Sequence, residues 1–71
     1  MRRLAMKRKY LGDWRKSRGM TQEQLAQAVH ITTRTIANYE KDPKNLYHAS
    51  YANVLKIAEV LNIHPDQLEI K

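Results

Sequence analysis

The segment TTRTIANYEK, residues 32–41, is rich in hydrogen-bonding side chains and contains only two large apolar ones. Three of its residues are of types that recognise base edges in the groove of a duplex. Arg34 can bond bidentately to guanine and Asn38 to adenine, while the methyl group of Thr33 can meet the methyl group of thymine. Arg34 can equally hold a phosphate, because its reach permits both contacts. We therefore expect Thr33, Arg34 and Asn38 to contact bases.

Phosphate contacts are expected from polar residues on either side of these three. Thr32 precedes them and is expected to cap a helix, with its hydroxyl also able to donate to a phosphate oxygen. Lys41 and Lys44 follow them and suit phosphate contacts. Ordinary surface lysines would give the same pattern, so both alternatives stay open for these two residues.

The net charge of +6 is concentrated at the N-terminal end of the chain. Residues 1–20 hold eight basic side chains against one acidic, whereas the remaining 51 residues hold five basic and six acidic ones. A basic arm over residues 1–9 suits binding to a polyanion, along its backbone or in a narrow minor groove. The alternative is a charged tail that keeps a small protein soluble. The arm residues expected to contact phosphates are Arg2, Arg3, Lys7, Arg8 and Lys9.

The composition argues against enzymatic, metal-binding and membrane-spanning roles. There is no cysteine, and His30, His48 and His64 are far apart and lack the spacing of metal ligands. No nucleophile–base pair or carboxylate dyad occurs at helical spacing, so we expect no catalytic residue and no cofactor. No apolar run approaches the ~20 residues of a membrane span, and the charged start lacks the apolar region of a signal peptide. We expect a cytoplasmic protein that is not an enzyme.

Apolar residues recur at helical spacing throughout the chain, with no run of strict alternation, which predicts an all-α fold. Tyr10 and Trp14 mark a first helix that ends near Gly19, a residue type favoured just past a helix end. Thr21 begins the sequence TQEQ, a capping box that predicts a second helix ending near Val29.

The second half of the chain predicts three further helices. The third covers about residues 32–40, and a long loop follows over residues 41–49, where Pro43 breaks the helix. Ser50 can cap a fourth helix, and a last short helix begins at Pro65. The side of the fourth helix expected to be buried carries Tyr51, Val54, Leu55, Ala58 and Leu61.

The segment from Gln22 to Lys41 holds two of these helices, separated by a turn of only a few residues. Helices joined by so short a turn cross steeply, and the small side chain of Ala26 lets the third helix approach the second. Ile31 is expected to fill the turn, while Ile36 and Tyr39 dock the third helix. This is the helix-turn-helix pattern, in which the second helix of the pair enters the major groove.

The chain resembles the lambda-repressor/Cro-like (XRE-type) helix-turn-helix family over about residues 10–69. The blocks that carry the resemblance are LGDWRKSRGMTQEQLAQAV, ITTRTIANYE and LKIAEVLNI, in this order. The resemblance implies a compact five-helix domain over residues 10–71, with operator DNA as the ligand and a symmetric dimer. It also implies an ion pair between Arg15 and Glu40 and a phosphate contact by Gln22, for which a solvated helix start is the alternative.

Two features depart from the pattern of that family. The position between Val29 and Ile31 is usually glycine, because the turn there needs a positive φ. This chain has His30, and histidine tolerates the left-handed region better than most residues. The loop over residues 41–49 is longer than is usual, which leaves the start of the following helix open.

These expectations combine into a sequence-specific, double-stranded DNA-binding transcriptional regulator that acts as a homodimer on a palindromic operator. The resemblance favours a repressor of a phage, plasmid or other mobile element, with a DNA-binding antitoxin as a variant. An antirepressor or a toxin would then be a partner. The dimer surface is expected around Ile63, Leu68 and Ile70. The alternative is an adaptor that binds a protein with the same fold, and it requires an apolar patch in place of the polar face of helix 3.

Overall fold

The computed structural model describes residues 7–70 and contains, within that range, five α-helices and no β-strand. The helices are α1 (Leu11–Ser17), α2 (Gln22–Val29), α3 (Thr33–Lys41), α4 (Pro43–Tyr47) and α5 (Tyr51–Leu61), followed by a 3₁₀ turn at Pro65–Gln67. The predicted all-α class and the number of helices are confirmed. None of these helices is long and apolar enough to cross a membrane.

Local capping signals determine where α2 and α5 begin and where α1 ends. Thr21 accepts a hydrogen bond from the Gln24 backbone N–H at 3.0 Å and donates its own backbone N–H to the Gln24 side chain at 2.8 Å. Ser50 caps α5 by accepting from the Asn53 backbone N–H at 3.2 Å. Gly19 follows α1 in the left-handed region, with φ 70°. All three predicted boundaries are confirmed.

The turn between α2 and α3 depends on His30, which has φ 65° and ψ 41°. This is the left-handed region that favours glycine, so the structure confirms that His30 takes the positive φ expected of the turn. The Ile31 backbone N–H bonds back to the Ala26 carbonyl at 3.0 Å, which closes the end of α2. Ile31 itself packs, half-buried, against the core.

The expectation of an irregular loop over residues 41–49 is wrong, because α4 lies within it. Asp42 is extended, with φ −147° and ψ 122°, as expected for a residue before proline. Its carboxylate accepts a hydrogen bond from the Lys44 backbone N–H at 2.9 Å. Pro43 therefore starts a new helix at the position where its missing N–H has no consequence. The helix expected at Pro65 is only a 3₁₀ turn.

The core forms where the helices meet, and its largest fully buried side chains are Leu25, Val29, Ile36, Leu46, Ile57 and Leu61. Trp14 is buried as well, as expected for the apolar face of α1. Ala26 on α2 is only 1% exposed, and a side chain this small permits the close approach of α3.

The predicted buried side of α5 is confirmed at Val54, Ala58 and Leu61 and is wrong at two positions. Tyr51 and Leu55 are 71% and 40% exposed, respectively. Ile57, which was not predicted, joins the three confirmed residues in a stripe at spacings of three and four residues. Leu55 lies about 100° around the helix from Val54, outside this stripe. The outer face of α5 is therefore unusually apolar.

Leu68 also belongs to the core, since it is 4% exposed. Leu68 therefore packs against its own core, and the dimer surface expected around it stays a prediction. Ile63 and Ile70 are half-buried against the same core. The apolar residues near the C-terminus mainly close the fold.

Backbone pairing between the two ends of the described chain explains why Leu68 faces inward. Lys9 and Leu68 form a parallel β-bridge. The Lys9 N–H donates to the Gln67 carbonyl at 3.0 Å, and the Glu69 N–H donates to the Lys9 carbonyl at 2.8 Å. The indole Nε1 of Trp14 donates to the same Gln67 carbonyl at 2.8 Å. The segment after the 3₁₀ turn is thus bonded to residues just before α1.

Candidate nucleic-acid interface

The outer face of α3 carries the polar side chains that the sequence singles out. Thr33, Arg34 and Asn38 are all exposed. Arg34 and Asn38 are four residues apart, so they lie one turn apart on the same face of the helix. Ile36 has no exposed surface and anchors the opposite side of α3 in the core. The helix therefore holds these polar groups in a fixed direction toward solvent.

Thr32 caps α3 as predicted, since its hydroxyl oxygen accepts a hydrogen bond from the Thr35 backbone N–H at 3.1 Å. The same oxygen lies 2.8 Å from the Thr35 hydroxyl oxygen, so the two hydroxyls share one hydrogen bond. That bond uses one hydroxyl proton of the pair and leaves the other for an outside acceptor. A phosphate oxygen could take this role at the N-terminus of α3.

Arg15 and Glu40, the pair implied by the resemblance, are in contact where α1 meets the end of α3. Nε of Arg15 donates to one Glu40 carboxylate oxygen at 2.6 Å, and Nη2 donates to the other at 3.1 Å. Both side chains are 11% exposed. The hydrogen bonds that Arg15 donates to Glu40 raise the pKa of Arg15 above its ordinary value, and burial opposes this shift. The guanidinium therefore stays charged across the acidic and neutral pH range.

Gln22 joins this pair, because its side-chain Nε2 donates to a Glu40 carboxylate oxygen at 3.1 Å. The first turn of α2 therefore lies beside the last turn of α3. The amide keeps a second N–H and a carbonyl oxygen for other partners. The phosphate contact expected of Gln22 is compatible with this geometry, since Glu40 orients the amide without using up its donors.

Lys41 and Lys44 lie on either side of the junction between α3 and α4, and both are exposed. The side-chain Nδ2 of Asn45 donates to the Asn38 backbone carbonyl at 2.7 Å, which holds α4 against α3. The two lysines are thus placed at the end of α3 that also carries Glu40. Their positive charges complement the negative end of the α3 dipole.

The ammonium group of Lys9 lies over the Trp14 ring, with Nζ 4.5 Å from the ring centroid. The guanidinium of Arg18 also contacts this ring, with Cζ 5.3 Å from the centroid, and its Nε donates to the Leu61 carbonyl at 2.8 Å. These cation–π contacts give both side chains a structural role. An ammonium group has three N–H donors, so this position over the ring is compatible with the phosphate contact expected of Lys9.

The structure describes two of the remaining basic residues of the arm, Lys7 and Arg8. Lys7 is exposed, and its carbonyl accepts a hydrogen bond from the Gln67 side chain at 3.3 Å. Arg8 lines a groove formed with Tyr47 and other residues of α4 and α5. The expected phosphate contacts of Arg2 and Arg3 lie outside the described residues.

A family model described as helix-turn-helix matches residues 11–68. The chain belongs to the XRE-type, lambda-repressor/Cro-like helix-turn-helix family. Comparison with curated proteins and comparison with solved structures each gave no match. Membership of the helix-turn-helix family indicates a DNA-binding regulator.

In this helix-turn-helix domain, α2 is the first helix of the motif and α3 is the second, which in such motifs enters the major groove. The residues expected to contact bases lie on α3, and those expected to contact phosphates lie at its two ends or on α2. The exceptions among the described residues are the arm residues Lys7, Arg8 and Lys9, of which Arg8 lies in the α4–α5 groove and Lys9 lies against Trp14.

Two residues that support this helix-turn-helix surface are not predicted from the sequence. A Cβ atom added at Gly12 would lie 3.1 Å from a Glu40 carboxylate oxygen, so the glycine allows α1 to approach Glu40. Glycine inside a helix costs about 1 kcal/mol of stability relative to alanine. A glycine within α1 therefore indicates that a larger side chain would clash with a neighbouring element. Asn45 bonds to Asn38 seven residues earlier, and the sequence carries no comparable signal for that contact.

Proposed function

We propose that this helix-turn-helix protein is a sequence-specific transcriptional regulator that binds double-stranded DNA and contacts bases in the major groove with α3. The observation that carries the proposal is the exposed stripe of Thr33, Arg34 and Asn38 on a helix that Ile36 anchors in the core. Specificity comes from these side chains, because their donors and acceptors match the edges of particular bases.

Phosphate contacts supply most of the affinity and its dependence on salt. Gln22 and Thr32 contact phosphates from the starts of α2 and α3, and Lys41 and Lys44 contact them from the end of α3. The basic arm adds further charge, principally through Arg2 and Arg3. Contacts from both ends of α3 would fix the angle at which it enters the groove.

The protein acts as a homodimer on a palindromic operator. One domain of this size buries little DNA surface, and two-fold pairing doubles the site. Repression needs only occupancy of the operator, so we propose a repressor of the phage, plasmid or mobile-element type, with a DNA-binding antitoxin as a variant. An antirepressor or a toxin would be the partner that relieves binding.

The competing function is an adaptor that binds a protein through the same fold. Such an adaptor would need an apolar patch on α3 in place of the polar stripe. The stripe is polar, and the large apolar side chains that are exposed in the described part of the chain lie outside α3, at Tyr10, Tyr47, Tyr51 and Leu55. The polar character of α3 therefore favours DNA over a protein ligand.

Selection of binding sites from random duplex DNA tests the proposal directly. We expect enrichment of a two-fold symmetric sequence whose half-sites are about one helical turn, ~34 Å, apart. Enrichment of a single half-site would retain DNA recognition and contradict the homodimer. A selected pool no different from the starting pool would contradict sequence-specific binding and favour the adaptor.

A further inference from the structure

The short helix α4 follows directly on α3, the helix proposed to contact bases. Only Asp42 separates the end of α3 at Lys41 from the start of α4 at Pro43. Asp42 caps α4 through its carboxylate, and Leu46 on α4 is only 1% exposed and packs in the core. α4 therefore has a fixed position relative to the core, and its side chains can act on the end of α3 from a rigid support.

The side-chain amide of Asn45 on α4 contacts the backbone of α3. Its Nδ2 donates a hydrogen bond of 2.7 Å to the Asn38 carbonyl. Asn45 is exposed, so water could satisfy this amide as well, yet the amide bonds to the protein and fixes the distance between α4 and that carbonyl. The residue that supplies the carbonyl is the one whose side chain is expected to bond to adenine.

The two ends of α3 are held by different hydrogen bonds. At its start, the Thr32 hydroxyl caps the first turn, in which Arg34 lies. At its end, Asn38 lies in the last turn, where helices fray most readily, and the amide of Asn45 holds that turn. Loss of the Asn45 bond should therefore disturb Asn38 and leave Arg34 in place.

The contact expected between Asn38 and adenine depends closely on position, because two hydrogen bonds must form at once on one base edge. Binding sites require their contacting groups to be held within about 0.5 Å of the productive geometry. The exposed side chain of Asn38 takes its position from the backbone at that residue. A hydrogen bond that fixes this backbone therefore also limits where the Asn38 amide can lie.

We propose that Asn45 is a positioning residue for base recognition. It does not contact the base but holds the Asn38 backbone at the depth in the groove from which the Asn38 amide reaches adenine. α4, which forms where the sequence predicts a loop, thus contributes to specificity. This inference rests on the proposed function, because it requires that α3 contact bases.

Site selection with variants of the full chain tests this role. Asn38→Ala first identifies the base pair that Asn38 contacts, which is the position of the operator at which this variant loses its preference. A bidentate contact gives a preference of about 5- to 150-fold for the correct base. We expect Asn45→Ala to lower the preference at that same base pair at least about threefold and to leave the other positions unchanged.

Two further variants test whether Asn45 acts through Asn38 and through its donor. Asn38→Ala combined with Asn45→Ala should lose no more preference at this base pair than Asn38→Ala alone, since one residue acts through the other. Asn45→Asp keeps the shape of the side chain and removes the Nδ2 donor, so it should lower the same preference. Its added negative charge should weaken binding to every duplex alike and cancel in the preference between bases.

Asn53→Ala is the matched control, because Asn53 also bonds to α3 through its side-chain amide. Its Nδ2 donates to the Tyr39 hydroxyl at 3.3 Å, so this bond reaches the end of a side chain and not the backbone. We expect Asn53→Ala to leave every base preference unchanged, whatever its effect on Tm. Circular dichroism of each variant shows whether the helices are retained.

A preference in Asn45→Ala equal to that of the wild type would overturn the proposal, because the hydrogen bond would then serve stability alone. So would a loss at a different base pair, which would mean that Asn45 contacts DNA itself, or an equal loss at all positions. The same holds if Asn38→Ala loses no preference at any base pair. In each of these cases the wild-type chain still selects a sequence and the proposed function stands. A wild-type chain that selects no sequence would overturn both the proposed function and the role of Asn45.

Discussion

Glu40 is the residue through which three helices are joined, since it lies on α3 and accepts hydrogen bonds from Arg15 on α1 and Gln22 on α2. We expect Glu40→Gln to destabilise the fold by roughly 1.5–3 kcal/mol, the range for hydrogen bonds that involve a charged group. The change leaves the Arg15 guanidinium, 11% exposed, without its counter-ion. Thermal denaturation should show a fall in Tm of at least roughly 6 °C for a domain of this size.

Glu59→Gln is the matched control for this change. Glu59 is exposed on α5, and the same loss of charge there should alter the free energy of unfolding by no more than about 0.5 kcal/mol. An equal fall in Tm for the two variants would show that the contact with Arg15 does not stabilise the fold.

Arg34 and Asn38 are the residues at which base recognition can be removed without disturbing the helix. Both side chains are exposed, and the Asn38 carbonyl that accepts from Asn45 is part of the backbone. The double change Arg34→Ala and Asn38→Ala should weaken binding to the selected operator by about 1–3 kcal/mol for each side chain removed from a base. Competition binding between operator and random duplex should therefore show that the preference disappears, with an unchanged circular dichroism spectrum.

Lys41→Ala serves as the comparison, because it removes one positive charge from the same helix. A residue that contacts only phosphate should weaken binding to both duplexes alike and leave the preference for the operator intact. If the variant with both Arg34→Ala and Asn38→Ala still preferred the operator over random duplex, α3 would not be the helix that contacts the bases.

At the scale of elements, the turn between α2 and α3 stores strain at His30, whose φ is 65°. A non-glycine residue in this region costs of order 1–3 kcal/mol, and a β-branched residue is the least tolerated there. We expect His30→Val to lower the free energy of unfolding by at least about 1 kcal/mol, and His30→Gly to leave it unchanged or to raise it. Urea denaturation at constant m value measures both.

Ala28→Val is the control for the β-branched side chain, since Ala28 is exposed within α2. This change should lower the free energy of unfolding by no more than about 0.7 kcal/mol, the usual difference in helix propensity. If His30→Val and Ala28→Val proved equally costly, the left-handed conformation would not be the source of the strain.

The helix boundaries that depend on residues close by in the sequence could be predicted. Thr21, Thr32 and Ser50 cap helices through hydrogen bonds to backbone groups three residues away, so the signal is contained in a short segment. The same holds for Gly19 and His30, whose positive φ follows from the short turns they form. The exposed stripe on α3 followed from the positions of its apolar residues.

The elements that depend on distant contacts could not be predicted in the same way. α4 forms in a segment with Pro43 and few apolar residues, and its Asn45 gains a partner only because α3 lies beside it. Tyr51 and Leu55 were wrongly assigned to the buried side of α5 because nearly all of that helix is apolar, so its sequence does not define the limits of the stripe that packs. Leu68 is held in the core by backbone pairing with Lys9, which lies near the other end of the described sequence.

At the scale of the whole molecule, the uneven charge distribution predicts how binding depends on salt. Arg2→Gln together with Arg3→Gln removes two charges of the basic arm. If both contact phosphates, the slope of log binding constant against log salt should fall by about 0.9 for each phosphate that is no longer neutralised. Filter binding or fluorescence anisotropy over a series of salt concentrations measures that slope.

The same measurement on random duplex provides the internal control. Contacts to phosphates are independent of sequence, so the slope should fall equally for the operator and for random DNA. An unaltered slope would mean that these two arginines do not contact the duplex.

The bridge between Lys9 and Leu68 places the two ends of the described chain side by side. A short linker between the two ends of the described part, residues 7 and 70, could therefore close that part into a ring and lower the entropy of its unfolded state. New ends could then be opened at the exposed segment between α4 and α5, next to Ser50. New groups attached beside Lys9 or beside Leu68 would therefore lie close to each other on the folded domain.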